Sequence, residues 1–254
     1  MKRTVSILLI ILLVSPSVYL LIKSLSVQQM FPELAPSLTS EHWTDVLVGK
    51  SGFWRILLQS VLLSFTISVS TTSVASFLAR YLFYPTQSKV WRYLVLLPFM
   101  VTPILFAISL QYYFLYIGIA GTVFGVFLAQ FLYILPYAIF LQGTIWTERQ
   151  YQYLDLLSSL GAKERQKWTM FIWPNYKNSL YIISFQCFLV SWFDFGWVQY
   201  IGMGRVKTLT LEVYSLIMGA DIGTAAVVSG VLLVPPLMIY IGINRRGNQI
   251  YSIK

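Results

Sequence analysis

Few side chains in this sequence are of the types that carry acid–base, nucleophilic or metal chemistry. His42 is the only histidine and Cys187 the only cysteine, so a histidine relay, a two-histidine metal site and an intrachain disulfide are excluded. Glu41, His42 and Asp45 lie close enough in sequence to suggest metal ligands. A solvated helix face is the simpler interpretation of these three residues, and we expect no metal site.

Sequence motifs for catalysis are also absent. The sequence contains no GxxxxGK[ST] phosphate loop, no GxSxG elbow and no HExxH helix. It has no pair of carboxylates in a shared apolar stretch for general acid–base work. We therefore expect neither an enzyme nor a bound cofactor.

The composition is that of an integral membrane protein. Of the 254 residues, 57% are hydrophobic and 11% are charged, against roughly 25% charged in soluble domains. Mean hydropathy is +0.70. The sequence predicts an all-α fold in a single membrane domain over residues 1–254, embedded in a lipid bilayer.

Six apolar stretches are long enough to span a bilayer, which needs roughly 20 residues. Val5–Ile22 also fits the hydrophobic part of a signal peptide, and that alternative stays open. Pro98 and Pro103 should bend the third stretch, and Pro136 the fourth. The predicted spans are Val5–Ile22, Trp54–Ala79, Tyr93–Tyr116, Val123–Gln142, Asn178–Val198 and Thr224–Ile243.

Charge in the loops predicts the orientation. The net charge is +9, which in a soluble protein would suggest nucleic acid, but here the charge lies between spans. One set of loops and ends carries thirteen Lys and Arg residues and the other carries five. Because basic residues concentrate on the cytoplasmic side, both termini and the loop Tyr153–Pro174 are predicted to be cytoplasmic. We expect no nucleic-acid partner.

Within the second span, small hydroxyl side chains recur every four residues and therefore share one helix face. Such a face allows close helix packing and interhelical hydrogen bonds. It could also form the polar wall of a substrate path, with Ser64, Ser68 and Thr72 as the candidates. The five residues are Ser60, Ser64, Ser68, Thr72 and Ser76.

Asp194 is the one acidic residue flanked on both sides by apolar span, in the segment SWFDFGW. Burying a carboxylate in a membrane is costly, so it needs water, a cation or a hydrogen-bonding partner. One hypothesis is a structural pair with Arg205, Lys207 or a backbone group of the next loop. The other is that Asp194 lines the outer part of a translocation pathway and favours a cationic solute.

The loop Tyr153–Pro174 is the only long interruption that combines dense charge, a helical period and a glycine. Leu154, Leu157 and Gly161 recur at the spacing of one helix face, with Leu156 and Leu160 alongside, and this apolar stripe predicts a short amphipathic helix broken at Gly161. Pro174 stands where a new helix could begin. The physical pattern alone leaves two alternatives, a helix that docks a protein partner and a helix that lies on lipid.

This loop resembles the cytoplasmic loop signature of type I ATP-binding-cassette (ABC) importer permeases. Asp155, Leu156 and Leu157 occupy the places of its Glu-Ala-Ala, and Gly161 occupies the place of its glycine. Phe171 takes the aliphatic place and Trp173-Pro174 that of Leu-Pro. The resemblance implies a coupling helix between spans four and five that docks on the ATPase subunit. The implied docking residues are Asp155, Leu156, Leu157, Gly161, Ala162, Lys163 and Pro174.

The resemblance extends over essentially the whole chain. The runs LLPFMVTPILFA, GIAGT and LPYAIF are similar to permease segments, and the C-terminal third is most similar to the branch serving polyamines, iron(III), thiamine and phosphonates. It implies a multi-pass protein of the bacterial inner membrane that forms half of a translocation pathway. The transported solute is not readable from the chain, because in this family a separate binding protein selects it.

The partners implied by the resemblance are a pair of ATP-binding subunits, a second permease subunit, and a periplasmic or extracellular solute-binding protein. A heterodimer of permeases is favoured over a homodimer. ATP hydrolysis would occur on the separate ATP-binding subunits. The alternative is a self-sufficient secondary carrier or channel, which the scarcity of ionisable groups at mid-membrane disfavours.

Overall fold

The structure is a computed structural model that describes Ser15, Val18, Tyr19, Ile22, Ser24, Leu25 and residues 40–49, 52–85 and 87–251. In that part of the chain every regular element is helical. The α-helices are α1 (Glu41–Thr44), α2 (Phe53–Leu82), α3 (Lys89–Met100), α4 (Pro103–Tyr116), α5 (Val123–Gly143), α6 (Glu148–Ser159), α7 (Glu164–Gln166), α8 (Trp173–Trp192), α9 (Gly196–Gly202), α10 (Leu209–Met218) and α11 (Ile222–Tyr251). π-Helical turns follow α1 at Asp45–Gly49 and join α7 to α8 at Lys167–Ile172.

Short polar side chains begin several of these helices by accepting an otherwise unpaired backbone N–H. Ser88 Oγ accepts from Val90 N at the start of α3. Thr122 Oγ1 accepts from Gly125 N at the start of α5. Asp221 Oδ1 accepts from Thr224 N at 3.1 Å at the start of α11.

Several of the helices are suited to a membrane. Within the described residues, three helices are long and apolar enough to cross one: Phe53–Leu82, Val123–Gly143 and Ile222–Ile243. Two further pairs, each bent by more than 40° at a short break, raise the number to five if each pair is one span. The pairs are Val90–Pro98 with Pro103–Tyr116, and Glu164–Trp192 with Gly196–Gly202. The chain is therefore an all-helical, membrane-embedded protein.

The predicted second, fourth and sixth spans coincide with α2, α5 and α11. The predicted third span, Tyr93–Tyr116, is interrupted at Val101 and Thr102. The break has a local cause, since a residue before proline is biased towards extended backbone and Pro103 fits the first turn of a new helix. The predicted first span, Val5–Ile22, lies almost wholly outside the described residues and stays a prediction.

The chain forms two compact units. The first comprises Met1–Ser60 and Lys207–Met238, and the second comprises Val61–Val206 and Ile239–Lys254. In the first unit, Ser60 Oγ accepts from Leu209 N at 2.8 Å, and the imidazole of His42 lies directly over Gly223. No group of three His, Cys, Asp or Glu side chains that could hold a metal occurs among the described residues.

Candidate functional site

The predicted docking loop lies in the second unit and begins earlier than the sequence pattern indicated. α6 starts at Glu148 rather than near Tyr153, because Gln150 folds back to cap it: Gln150 Oε1 accepts from Thr147 N at 2.7 Å. Thr147 and Gln150 stand at the spacing of a capping box, a pattern that lies outside the hydrophobic period of the helix. The stretch Tyr153–Pro174 is therefore the end of one helix, a turn and a second helix.

One face of α6 is packed into the protein. Tyr151 and Leu154 are buried together with Ile172, and burial of such side chains contributes roughly 1.5–3 kcal/mol each. The Tyr151 hydroxyl donates to the carbonyl oxygen of Arg80 at 2.9 Å. The Tyr84 ring packs edge-on against Tyr151 with centroids 4.9 Å apart. These contacts fix α6 against the end of α2.

The predicted apolar stripe of α6 divides between the two faces of the helix. Leu154 points inward, and Leu157 is half-buried. Leu156 and Leu160 point outward with 57% and 75% of their surface exposed. The outward leucines therefore remain available for a partner, whereas Leu154 is already used in the packing of the chain itself.

The turn after α6 is a complete Schellman motif around Gly161. Gly161 N donates to the carbonyl oxygen of Ser158 at 2.9 Å, and Ala162 N donates to that of Leu157 at 3.0 Å. Gly161 has φ +80°, the left-handed region in which a side chain is strained. A Cβ atom there would meet nothing within 4 Å. The glycine thus serves backbone geometry, and the space in front of it is open.

Ion pairs hold the far side of this turn. Glu164 accepts from Arg80 Nη1 at 2.8 Å and from Lys167 Nζ at 2.6 Å. These two hydrogen bonds, that from Lys167 first, hold the pKa of Glu164 below its ordinary range. Lys163 and Arg165 are exposed and make no ion pair with any residue that the structure describes. The turn therefore presents two unneutralised positive charges beside Gly161.

Pro174 lies in the first turn of α8, as the sequence suggested. It is 19 residues after Asp155 in the chain. Pro174 is exposed. Four of the exposed predicted docking residues, Asp155, Leu156, Gly161 and Lys163, belong to α6 and the turn that follows it, whereas Pro174 belongs to α8. We use the name docking surface for Leu156, Leu160, Gly161, Lys163 and Arg165.

The hydroxyl face of α2 is buried, and in the second unit it is hydrogen-bonded to α8. Ser68 Oγ bonds to Ser184 Oγ at 2.8 Å and lies 2.7 Å from the carbonyl oxygen of Ser184. Ser191 Oγ lies 3.2 Å from Ser64 Oγ. Hydroxyls placed in this way join two helices. The assignment of Ser64, Ser68 and Thr72 to a translocation path stays a prediction.

Asp194 lies in the short break between α8 and α9 and caps α9. Its Oδ2 accepts from Trp197 N at 3.1 Å and from Gln130 Nε2 at 2.8 Å. The side-chain oxygen of Gln130 accepts from Ser191 Oγ at 2.7 Å. Within the described residues Asp194 makes no ion pair. Its carboxylate therefore accepts hydrogen bonds from a backbone N–H and from a side-chain amide.

Gln130 was missed by the sequence reasoning. It is almost fully buried in the middle of α5, between apolar neighbours. A lone amide inside an apolar helix must find hydrogen-bond partners, and this was the available signal. The identity of those partners, Asp194 and Ser191, depends on the packing of α5 against the break and could not be read from spacing.

The sequence was also compared with known families and proteins. It matches no family model, and no curated protein matches it.

Proposed function

We propose that this chain is a membrane-spanning permease subunit of an ABC importer. In this proposal it has six spans with both termini in the cytoplasm, in the inner membrane of a bacterium. It forms half of a translocation pathway together with a second permease subunit. ATP-binding subunits supply the energy, and a solute-binding protein delivers the solute.

The observation that carries the proposal is the docking surface itself. Leu156 and Leu160 are large apolar side chains that are exposed on one face of α6. The opposite face of the helix is buried against the rest of the protein. An amphipathic helix that only lay on lipid would not need its opposite face anchored by aromatic packing and ion pairs. A rigid exposed element is what transmission of a conformational change between two proteins requires.

The chemistry of this surface suggests how a partner would bind. The leucines would enter an apolar cleft, and the left-handed turn at Gly161 would allow the partner's backbone to approach closely. Lys163 and Arg165 would pair with acidic side chains at the rim. Asp155 serves a different role in this scheme, since its carboxylate is already bonded to Tyr84 and fixes the helix.

The test is co-purification in mild detergent, followed by ATPase measurement with the cognate partners. The expected result is that the chain brings down an ATP-binding subunit and a second membrane subunit. Gly161→Leu should leave the chain in the membrane but abolish coupled ATP hydrolysis, because a large side chain would hold the partner away. Gly161→Asn is the matched control, since asparagine tolerates a positive φ and is smaller.

Two results would contradict the proposal. One is the absence of any ATPase subunit from the purified chain while the chain itself transports solute, as a self-sufficient carrier or channel would. The other is full coupling in Gly161→Leu at normal abundance, which would show that the docking surface is not the coupling element.

A further inference from the structure

Phe83 and Tyr84, which we call the α2 turn, follow α2 directly and lie between several helices of the second unit. Phe83 N donates to the carbonyl oxygen of Ala79 at 3.0 Å, and Tyr84 N donates to that of Tyr81 at 3.2 Å. These bonds hold the turn to the end of α2. The Phe83 ring packs against the end of α5, where a Cβ atom on Gly143 would overlap it. The α2 turn therefore joins α2 to α5.

The side chain of Tyr84 joins the same turn to α6. Its ring packs edge-on against Tyr151, and its hydroxyl donates to the Asp155 carboxylate. The Tyr151 hydroxyl donates to the carbonyl oxygen of Arg80, one turn earlier in α2. A displacement of α6 therefore pulls on the α2 turn through contacts at two positions one helical turn apart.

Arg92, near the start of α3, contacts three consecutive residues at this place. Its Nε donates to the carbonyl oxygen of Leu82 at 3.0 Å, and its Nη2 donates to that of Tyr84 at 3.4 Å. Its Cζ lies 5.0 Å from the ring centroid of Phe83. Arg92 is half-buried and makes no ion pair with any residue that the structure describes. Its positive charge is therefore directed at carbonyl oxygens at the end of α2, where a cation is stabilising.

These contacts require the shape of a guanidinium group as well as its charge. The planar fork presents donors in two directions and a flat face to an aromatic ring. A lysine ammonium carries the same charge as a single point and cannot make all three contacts at once. Any cation would serve if Arg92 only neutralised the end of α2, whereas a fixed connection between the α2 turn and α3 needs the fork.

α3 is one half of a bent span. It packs along α5 and ends at Met100, and after Val101 and Thr102 the chain continues in α4. The axes of α3 and α4 differ by more than 40°. Helices that meet at a short non-helical break can change their angle there, since only a few backbone dihedrals have to alter. A movement imposed on α3 near Arg92 is therefore taken up at this break.

We propose that Arg92 is a positioning residue through which α6 sets the position of α3 relative to α4. A displacement of the docking surface moves α6, the contacts of Tyr84 carry the α2 turn with it, and the Arg92 guanidinium group carries α3. That a partner supplies the displacement rests on the proposed function. The connection from α6 to α3 is a property of this chain alone and is measured without a partner.

Distances between pairs of spin labels measure the connection in the full chain in lipid nanodiscs. One label is attached at Ser159→Cys on α6, and the second at Leu97→Cys on α3 or at Phe65→Cys on α2. All three positions are exposed, and the native Cys187 is fully buried and stays unlabelled. The α6–α3 pair reports the proposed connection, and the α6–α2 pair reports general loosening of the fold. Double electron–electron resonance gives the width of each distance distribution.

Arg92→Gln removes the charge and the fork, whereas Arg92→Lys keeps the charge and removes the fork. Both should broaden the α6–α3 distribution and leave the α6–α2 distribution at the parent width, because the contacts of Tyr84 with α6 remain. Arg149→Gln is the matched control, since that guanidinium group also lies over an aromatic ring, that of Tyr153, but within its own helix. It should leave both distributions unchanged.

The inference is overturned if the α6–α3 distribution keeps the parent width in Arg92→Lys, since a charge without the fork would then be sufficient. It is also overturned if the α6–α2 distribution broadens equally, because Arg92 would then only cap α2, or if Arg149→Gln has the same effect. Melting temperatures verify that each variant is folded. If Arg92→Gln does not fold, Arg92→Lys alone decides the test.

The complex with the cognate partners separates this inference from the proposed function. Arg92→Lys should keep basal ATP hydrolysis, because the docking surface is intact, but should lower solute transport per ATP hydrolysed roughly two- to thirtyfold. Unchanged transport per ATP would overturn the inference and leave the proposed function in place. Failure to recruit an ATP-binding subunit would overturn the proposed function, whereas the connection measured by the spin labels would stand.

Discussion

The Tyr84 hydroxyl donates to the Asp155 carboxylate, whose two oxygens lie 3.1 and 3.0 Å away. The bond joins the residues just after α2 to the outward side of α6. It also raises the pKa of Tyr84, because the neutral phenol is the form that can donate. The segment just after α2 and the helix that carries part of the docking surface are thus connected by a direct polar contact.

Tyr84→Phe should loosen this connection. We expect a small drop in melting temperature in detergent, because the pair is exposed, and a larger loss of ATPase coupling with the cognate partners. Tyr81→Phe is the matched control, since Tyr81 is exposed nearby and makes no hydrogen bond among the described residues. Equal coupling in both variants would show that the bond does not position α6.

Gly143→Ala should destabilise the chain by overpacking. A Cβ atom at Gly143 would overlap the ring of Phe83, and forcing an extra carbon into a packed site costs about 1–3 kcal/mol. Phe83→Leu removes the overlapping ring atoms, so the double variant should recover part of the loss. Thermal or urea unfolding of the two single variants and the double variant measures this coupling. Strictly additive effects would show that the two residues do not touch.

Acid should weaken the ion pairs of Glu164. Its pKa is lower in the folded protein than its ordinary value of 4.5, so the pairs stabilise the fold above about pH 4.5. That contribution is lost as the pH falls through the lowered folded value. Because the side chain is 63% exposed, the contribution is only about 0.2–1 kcal/mol.

Glu164→Gln should therefore flatten the dependence of unfolding free energy on pH in this acid range. Glu148→Gln removes an acid that makes no ion pair in the described structure, and is the matched control. If both variants keep the full acid dependence of the parent chain, Glu164 does not contribute to it.

Asp194→Ala should lower stability by about 1–3 kcal/mol, because it removes the cap of α9 and leaves the Gln130 amide without its acceptor. Asp194→Asn should be milder, since its amide oxygen can still accept from Trp197 N. Unfolding in detergent and solute transport are measured together. Normal stability with slowed transport would instead favour the pathway hypothesis for Asp194.

Labelling with a membrane-impermeant maleimide tests the orientation. Single cysteines at Asp45 and Lys207 should react from outside intact cells, whereas those at Gln87 and Lys163 should react only after permeabilisation. The parent chain is the control, because its one cysteine, Cys187, is fully buried and should not react. Labelling of a cysteine at position 163 from outside would show that the predicted orientation is wrong and that the docking surface does not face the compartment that contains ATP.

Local rules were enough to predict the long helices. α2, α5 and α11 follow from apolar length alone. The start of α6 was missed because a hydrophobic period identifies only the residues that a helix buries. The capping residue Thr147 precedes the helix and is not part of that period. Pro103 was predicted to bend one continuous helix, but the helix is interrupted there. The reason is that a proline also disfavours helical backbone at the residue before it.

The contacts between helices could not be predicted from the same rules. Leu154 faces the protein and Leu156 faces outward because Tyr84 and Trp146 pack on the Leu154 side of α6. Tyr84 is distant from Leu154 along the chain, and Trp146 precedes the helix. The hydroxyl face of α2 was visible in the sequence. Its partners Ser184 and Ser191 lie more than a hundred residues away, and no spacing connects them.

The π-helical turn Lys167–Ile172 changes the angular phase of everything that follows it. Trp168 and Ser184 are sixteen residues apart, and on an uninterrupted α-helix at 100° per residue they would point about 160° apart. A π-helical turn carries about one extra residue, which takes up to about 100° out of that angle. Both side chains thereby line one cavity with α2. A lineage that lost a single residue in this turn would keep a continuous helix, yet it would turn the Trp168 indole away from the face that carries Ser184.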